Sequence, residues 1–241
     1  MSKVHLVLQG KGGVGKSFIA AMIAQYKTSI GQTPLCIDTD PINATFTGYA
    51  DLNVKRIELL DGDEINPRNF DVLVELIANS KDDVVVDNGA SSYQPLLAYL
   101  IQNDVASVLT EYGHELVLHT VITGGQALLD TMHGFSQIAT QFPGDTKIVV
   151  WLNPYWGPIE TEGRGFEQVK VYKDNKARVA AIVTIPKFQE STFGRDLSDM
   201  LQERITFDKA IASAALPIMA RQRLKQVRDK IFGEIAKATV I

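Results

Sequence analysis

The sequence predicts a doubly wound α/β fold, a mostly parallel sheet with helices on both faces. Three observations carry that expectation. Apolar runs of strand length alternate with longer stretches of helical period along the 241 residues. Several of those runs are nearly unbroken in Val, Ile and Leu, as strands covered on both faces are. A glycine-rich segment, Gly10 to Ser17, stands between the first apolar run and the first helical stretch.

In chain order, the first strand is expected at 3–9, where Val4, Leu6 and Leu8 alternate with their neighbours. The first helix is expected at 16–29, a stretch rich in helix formers with Ile19, Met22 and Ile23 on its apolar side. Further strands are expected at 35–38, 84–87, 106–110, 117–123, 147–153 and 180–185. Further helices are expected at 68–78, 94–102, 125–141, 166–175, 196–204 and 218–238. No internal repeat or low-complexity linker divides the chain, which reads as a single domain over 1–241 with an amphipathic helix in its last stretch, 216–241. Ligands of such a fold bind at the carboxyl ends of the strands. Segment 154–165, with its prolines, its glycines and Trp156, is the best candidate for a long functional loop.

Composition narrows the class. A hydrophobic content of 45% supplies a large core. The net charge of −4 excludes a protein that coats nucleic acid over its whole surface and leaves room for a local basic patch. One cysteine, Cys36, sits in an apolar run, so there is no disulfide and no Cys cluster for zinc or iron–sulfur. The amino terminus lacks a signal-peptide pattern and no apolar stretch reaches the ~20 residues of a membrane span. The expected compartment is the cytoplasm.

The chemistry is concentrated in Gly10-Lys11-Gly12-Gly13-Val14-Gly15-Lys16-Ser17, which matches G-x-x-x-x-G-K-[ST] in full. Its glycines allow a tight turn that brings backbone N–H groups to phosphate oxygens, Lys16 adds a charge for the β- and γ-phosphates, and Ser17 can ligate Mg²⁺. The following helix start, including Phe18, adds unpaired amides and the positive end of the helix dipole. Two acidic strand ends fit a metal site and a water site: Asp38-Thr39-Asp40-Pro41 and Asp87-Asn88-Gly89. Taken alone, either acidic end also fits a helix cap or a solvated turn.

These segments resemble the ParA/MinD family of ATPases. Gly10–Ser17 (10–17), with a second lysine at Lys11, is similar to that family's deviant Walker A motif, and Asp38 to Thr45 is similar to the switch I of its partition proteins. A narrower likeness, through 9–17, 38–45, 87–91 and 151–157, is to a group of proteins from conjugative plasmid transfer regions. The resemblance implies a P-loop ATPase that uses ATP and Mg²⁺. It implies that Gly10, Gly12, Gly13, Val14, Gly15, Lys16, Ser17 and Phe18 cradle the nucleotide. Lys11 would cross a two-fold interface to the partner subunit's nucleotide, and Asp40 would orient the attacking water. Asp38 would support the metal and Asp87 would be the Walker B carboxylate. Asn153 would read the base, with Pro186 beside the adenine; Asn153 is equally well a turn residue before Pro154. Asn88 departs from the threonine frequent at that place in the family.

Other motifs carry less. His114 and His119 lie five apart, whereas zinc-binding H-E-x-x-H needs a spacing of four on a helix, so both are read as structural. Asn175-Lys176-Ala177-Arg178 lacks the acid of the guanine-reading N-K-x-D, which favours ATP over GTP. In the terminal helix, Ala220, Leu224, Val227, Ile231, Ile235 and Ala238 form an apolar stripe flanked by Arg221, Arg223, Lys225, Arg228 and Lys230. That stripe either docks on the sheet or meets a membrane or DNA, which would place the protein at a membrane or nucleoid. The leading expectation is an ATP-dependent homodimer that acts as a slow, partner-stimulated switch on DNA or on a plasmid transfer or partition assembly. An ATP-binding scaffold with incidental hydrolysis and a small-molecule kinase or ligase on the same fold are the alternatives.

Overall fold

The computed structural model describes residues 1–241. In chain order its first part runs β1 (Ser2–Val7), α1 (Lys16–Ser29), β2 (Leu35–Asp38), β3 (Lys55–Arg56), β4 (Leu60–Asp61), β5 (Glu64–Ile65), α2 (Asn69–Ala78), β6 (Val84–Asp87), α3 (Tyr93–Gln102) and α4 (Val105–Glu111). It continues with β7 (His114–Thr123), α5 (Leu128–Gln141), β8 (Lys147–Asn153), β9 (Glu160–Thr161), β10 (Arg164–Gly165) and α6 (Lys170–Asn175). The last elements are β11 (Val179–Thr184), α7 (Arg195–Gln202), α8 (Phe207–Ala212) and α9 (Ile218–Lys237).

Seven strands form one sheet in the order β11-β8-β7-β1-β6-β2-β3, and every pairing in it is parallel. Parallel strands need covered crossovers, and the alternation of strands and helices supplies them. Side chains of β1 and the residue after it divide between the two faces: Val4, Leu6 and Leu8 join a buried set of 30 residues with α2 to α5, while Val7 joins a set of 27 with α1 and α9. Cores of comparable size on both sides explain why β6 is apolar at each of Val84, Val85 and Val86.

The expected strand at 106–110 is instead helical, within α4. A short apolar run has no period of its own, and here Val105 and Leu109, one turn apart, are the buried pair. Asp104 and Gly113, both at positive φ, bracket the helix, and β7 starts at His114, ahead of the expected 117. Segment 154–165 is ordered as a short 3₁₀ turn and the β9–β10 hairpin. Two-residue strand β3, the hairpin β4–β5 and helix α8 were not foreseen, because elements that short leave no periodicity to read.

Helix α9 buries Ala220, Leu224, Val227, Ile231 and Ile235, which settles the stripe as a docking face. Of its basic residues, Arg223 pairs with Asp196, Arg228 with Asp208 and Asp229, and Lys237 with Glu234. No helix is long and apolar enough to cross a membrane. Cys36 is buried in β2, and burial pushes its thiol up to about 12.

Two polar groups inside the fold are tightly specified. The Lys27 side chain, 1% exposed, ends 2.7 Å from Asp83 and also donates to the carbonyls of Gln32 (side chain, 3.4 Å) and Ile241 (3.3 Å). Asp83 in turn accepts from the N–H of Lys3, near the start of β1, at 2.6 Å. Burial lowers the Lys27 pKa and Asp83 raises it. Across β1, β7 and β8, the Trp151 indole N–H donates 2.9 Å to His119 Nδ1, and His119 Nε2 lies 3.0 Å from His5 Nδ1. With Nδ1 accepting, neutral His119 carries its proton on Nε2 and donates to His5. Burial pushes the His119 imidazole down to about 3 and His5 well below its ordinary value.

Asp83→Ala strands a buried ammonium, so it is expected to destabilise the fold by about 3–5 kcal/mol in denaturant titrations, with Lys27→Met less damaging than Asp83→Ala. The two buried histidines set a pH limb. Their folded pKa values lie below the unfolded value of ~6.5, so the unfolded chain takes up protons first and stability falls as pH drops below that value. Between pH 6.5 and 5 the unfolding free energy is expected to fall with a slope approaching about 2.7 kcal/mol per pH unit for two protons. A flat profile there would show that the pair is not held neutral.

Candidate phosphate-binding site

Residues 8–15 leave β1 at the centre of the sheet and enter α1. The turn is fixed at both ends. The buried Gln9 side chain accepts from Gly10 N–H (2.9 Å) and donates to the carbonyls of Val121 and Thr131 (3.1 Å each). At the other end Gly15 adopts φ +105, where a side chain is strained, and a Cβ there would lie 2.9 Å from Asn153 Nδ2. Between these anchors no backbone N–H from Lys11 through Phe18 donates to a protein acceptor. Three of the loop's carbonyls are by contrast engaged: Lys11 O by the Lys16 ammonium (3.0 Å), Gly13 O by Trp156 Nε1 (3.2 Å) and Val14 O by Asn153 Nδ2 (3.0 Å). An arc of free donors with its acceptors turned aside is the arrangement of an anion nest.

Acidic groups close the site from β6 and β2. Register pairs Val7 with Asp87 and Asp87 with Asp38, so both carboxylates emerge beside the start of the loop. Asp87 is fully buried and neither of its oxygens has a hydrogen-bond partner. Burial pushes its carboxyl up to about 7; the Ser17 hydroxyl and Lys16 act against that rise, while Asp38 and Asp40 add to it. Lys16, only 8% exposed, is shifted the opposite way, lowered by burial and partly restored by Asp87 and Asp40.

Asp38 holds the next segment of chain rather than open space. Its Oδ1 accepts from Asp40 N–H (2.9 Å) and its Oδ2 from the N–H and hydroxyl of Thr47 (2.8 and 3.0 Å). Asp40, half-buried, accepts from the N–H groups of Ile42 and Asn43 (2.9 and 3.1 Å), both on Oδ1. The two acidic strand ends are then laced together. Thr39 donates its N–H and its hydroxyl to Asp87 O (2.9 Å each), and the hydroxyl also reaches Asn88 Oδ1 (3.1 Å), which accepts from Ser92 (2.8 Å). Asn88, the departure from the family's threonine, thus serves as the knot between the two loops.

The remaining expected residues lie at the same sheet edge in different settings. Asn153, 9% exposed, donates to Val14 O and accepts from Tyr155 N–H (3.2 Å), keeping one amide N–H beyond these bonds. Pro186 follows Ile185, whose N–H bonds Leu152 O, and is half-buried. The Phe18 ring packs against the core with α1, so that residue offers the loop its backbone alone. Lys11 stands on the rim, 2.8 Å from Asp130 of α5, with both side chains about half exposed. Gln9, Thr39 and Trp156 escaped the motif reading as site residues because each acts through a partner far along the chain, and Ser92 because it lies just beyond the motif whose Asn88 it bonds. The one available signal was the aromatic, proline-rich composition after Asn153.

A chain with this loop, these carboxylates and this strand order matches the model of the CobQ/CobB/MinD/ParA nucleotide-binding domain over residues 6–237. The chain belongs to that family. Two relatives from Escherichia coli, each called Protein TraL, are 66% and 62% identical over 241 residues, the full length of both chains in each case. Among solved structures, the MinC:MinD cell division complex of Aquifex aeolicus aligns with a TM-score of 0.55 at 15% identity, covering 96% of each chain. The MinD cell division protein of the same organism aligns at 0.52 and 16%, covering 96% of this chain and 97% of that one. At those identities the structures show the fold.

Asp38→Ala removes three hydrogen bonds that tie residues 40 and 47 to β2. It is expected to cost about 1–3 kcal/mol of stability and to speed hydrogen exchange at the Asp40 and Thr47 amides. Unchanged exchange there would mean that the segment is held by other contacts.

Proposed function

We propose that the protein is a Mg²⁺-dependent ATPase whose turnover is tied to pairing of two chains, serving a plasmid transfer or partition assembly. The observation that carries this reading is the run of unpaired N–H groups from Lys11 to Phe18 set against the buried, unpartnered Asp87 carboxylate. The first is a set of donors in need of an anion, the second an acceptor in need of a cation, and a metal–triphosphate supplies both. Ser17 and Asp87 fit Mg²⁺, Asp87 through water; no three His, Cys, Asp or Glu side chains gather into a cage, so such an ion would draw its other ligands from phosphate and water. When bound, Mg²⁺ would neutralise charge on the phosphate oxygens.

The residues then divide the work. Lys16 releases Lys11 O and places its charge on the β- and γ-phosphates. Asp40, whose Oδ2 takes no part in its two backbone bonds, accepts a hydrogen bond from the water that attacks the γ-phosphorus, and the bond to the ADP oxygen breaks. Asp38 fixes Asp40 through its N–H rather than touching the metal. Lys11 is the trans-acting charge: its pair with Asp130 is solvent-exposed, and leaving such a pair costs little. Exposed Ile42, Leu129, Tyr155 and Trp156 follow the carboxyl ends of three strands, β2, β7 and β8, and give a second copy an apolar surface around the loop. The TraL relatives and the motif likeness to conjugative-transfer proteins support a role in plasmid transfer.

Light scattering and phosphate-release assays test this. Wild type is expected to double its mass with MgATP and not with ADP. Lys16→Ala should lose nucleotide binding, while Lys11→Ala keeps binding and loses turnover by roughly 10³-fold or more, the scale of a charge supplied in trans. Wild-type turnover in Lys11→Ala would remove the pairing mechanism.

A further inference from the structure

The turn after β8 acts on the phosphate loop in a way that neither motif encodes. Trp156 Nε1 donates to Gly13 O at 3.2 Å, next to the bond from Asn153 Nδ2 to Val14 O. A trans peptide is planar, with its C=O and N–H on opposite sides. A carbonyl held on the Trp156 side therefore turns the N–H of the following residue away from it. For Gly13 O that N–H is Val14's, and for Val14 O it is Gly15's, both among the amides without a protein acceptor.

Restraint matters at this point more than elsewhere in the loop. Gly12 and Gly13 are exposed, Gly13 sits at φ +74, and glycine peptides rotate with little steric resistance. Trp156 is 58% exposed, so burial does not account for its place. Its backbone is seated instead: a Cβ on Gly125, two residues after β7, would lie 2.8 Å from Trp156 O. The Tyr155 ring lies edge-on to the indole, with centroids 4.9 Å apart.

We infer that Trp156 is a positioning residue of the phosphate cradle, fixing the Gly13–Val14 peptide so that the Val14 N–H faces the phosphate chain of a nucleoside triphosphate. The inference rests on the nucleotide-binding reading above. A peptide already turned pays less ordering entropy when the anion arrives, so the effect falls on affinity for phosphate and not on the base.

Trp156→Phe keeps a ring beside Tyr155 and removes the N–H. Calorimetric titration of wild type and variant with MgATP and with magnesium tripolyphosphate, together with melting of the ligand-free proteins, separates the possibilities. The expected result is roughly three- to tenfold weaker binding of both probes, the worth of one hydrogen bond, at an unchanged melting temperature. Equal affinities in the two proteins would overturn the inference. So would a loss confined to ATP, which makes the ring a base contact, or a melting temperature that falls along with affinity, which makes it a structural support. Wild type that binds neither probe would instead remove the nucleotide-binding reading itself.

Discussion

The hydrogen-bonded register of β1 with its two neighbours sets where everything else can be. Pairing with β6 puts Asp87 level with Val7, and pairing with β7 brings His119 level with the same residue. The loop that follows must then leave the sheet between a carboxylate on one flank and the β7–β8 edge on the other. No side chain at the site chooses its own position. A slip of one residue would turn Asp87 toward the opposite face of the sheet and remove it from Lys16.

Given that frame, the site is a balance of like and unlike charges in a confined volume. Asp40 and Asp87 lie near one buried ammonium, Lys16, and Asp38 adds its charge beside Asp87. The protein meets the excess negative charge in two ways. Asp38 and Asp40 are spent on backbone N–H groups, which fix the chain from 38 to 47. Asp87 is kept away from water beside Ser17 and Lys16 with neither oxygen in a formed hydrogen bond, so both oxygens remain available to a cation. Thr39 and Asn88 join these two treatments, since one loop cannot shift without disturbing the other.

Much of this was legible in the sequence because it is local. The glycine run, the acid at the end of an apolar strand and the helix that follows each depend on residues a few positions apart. Six of the seven expected strands correspond to strands, and the seventh failed where a five-residue apolar run carried no period. The opaque features are those whose partners lie far off in sequence. Lys27 reads as an ordinary helix lysine until Asp83 and Ile241 are placed around it, and Trp156 reads as a loop aromatic until Gly13 is beneath it. The bonds of Asp38 were opaque for a related reason: a carboxylate's partners are set by the donors that surround it, and Thr47 came from nine residues away.

Lys27 also defines the mechanics of the nucleotide helix. Helix α1 is held near its far end by the Lys27–Asp83 contact, which ties it to the foot of β6 and, through Lys3 N–H, to the foot of β1. Its near end emerges from the phosphate loop. It therefore behaves as a beam clamped at the base of the same strands whose tips carry the chemistry. A push on the loop cannot be relieved by sliding α1 along its axis, and the compliance is left to the loops after Asp38 and Asp87, which the Thr39–Asn88 bond makes move together. Stiffness in one member thus directs the displacement into the two segments that follow the acidic strand ends.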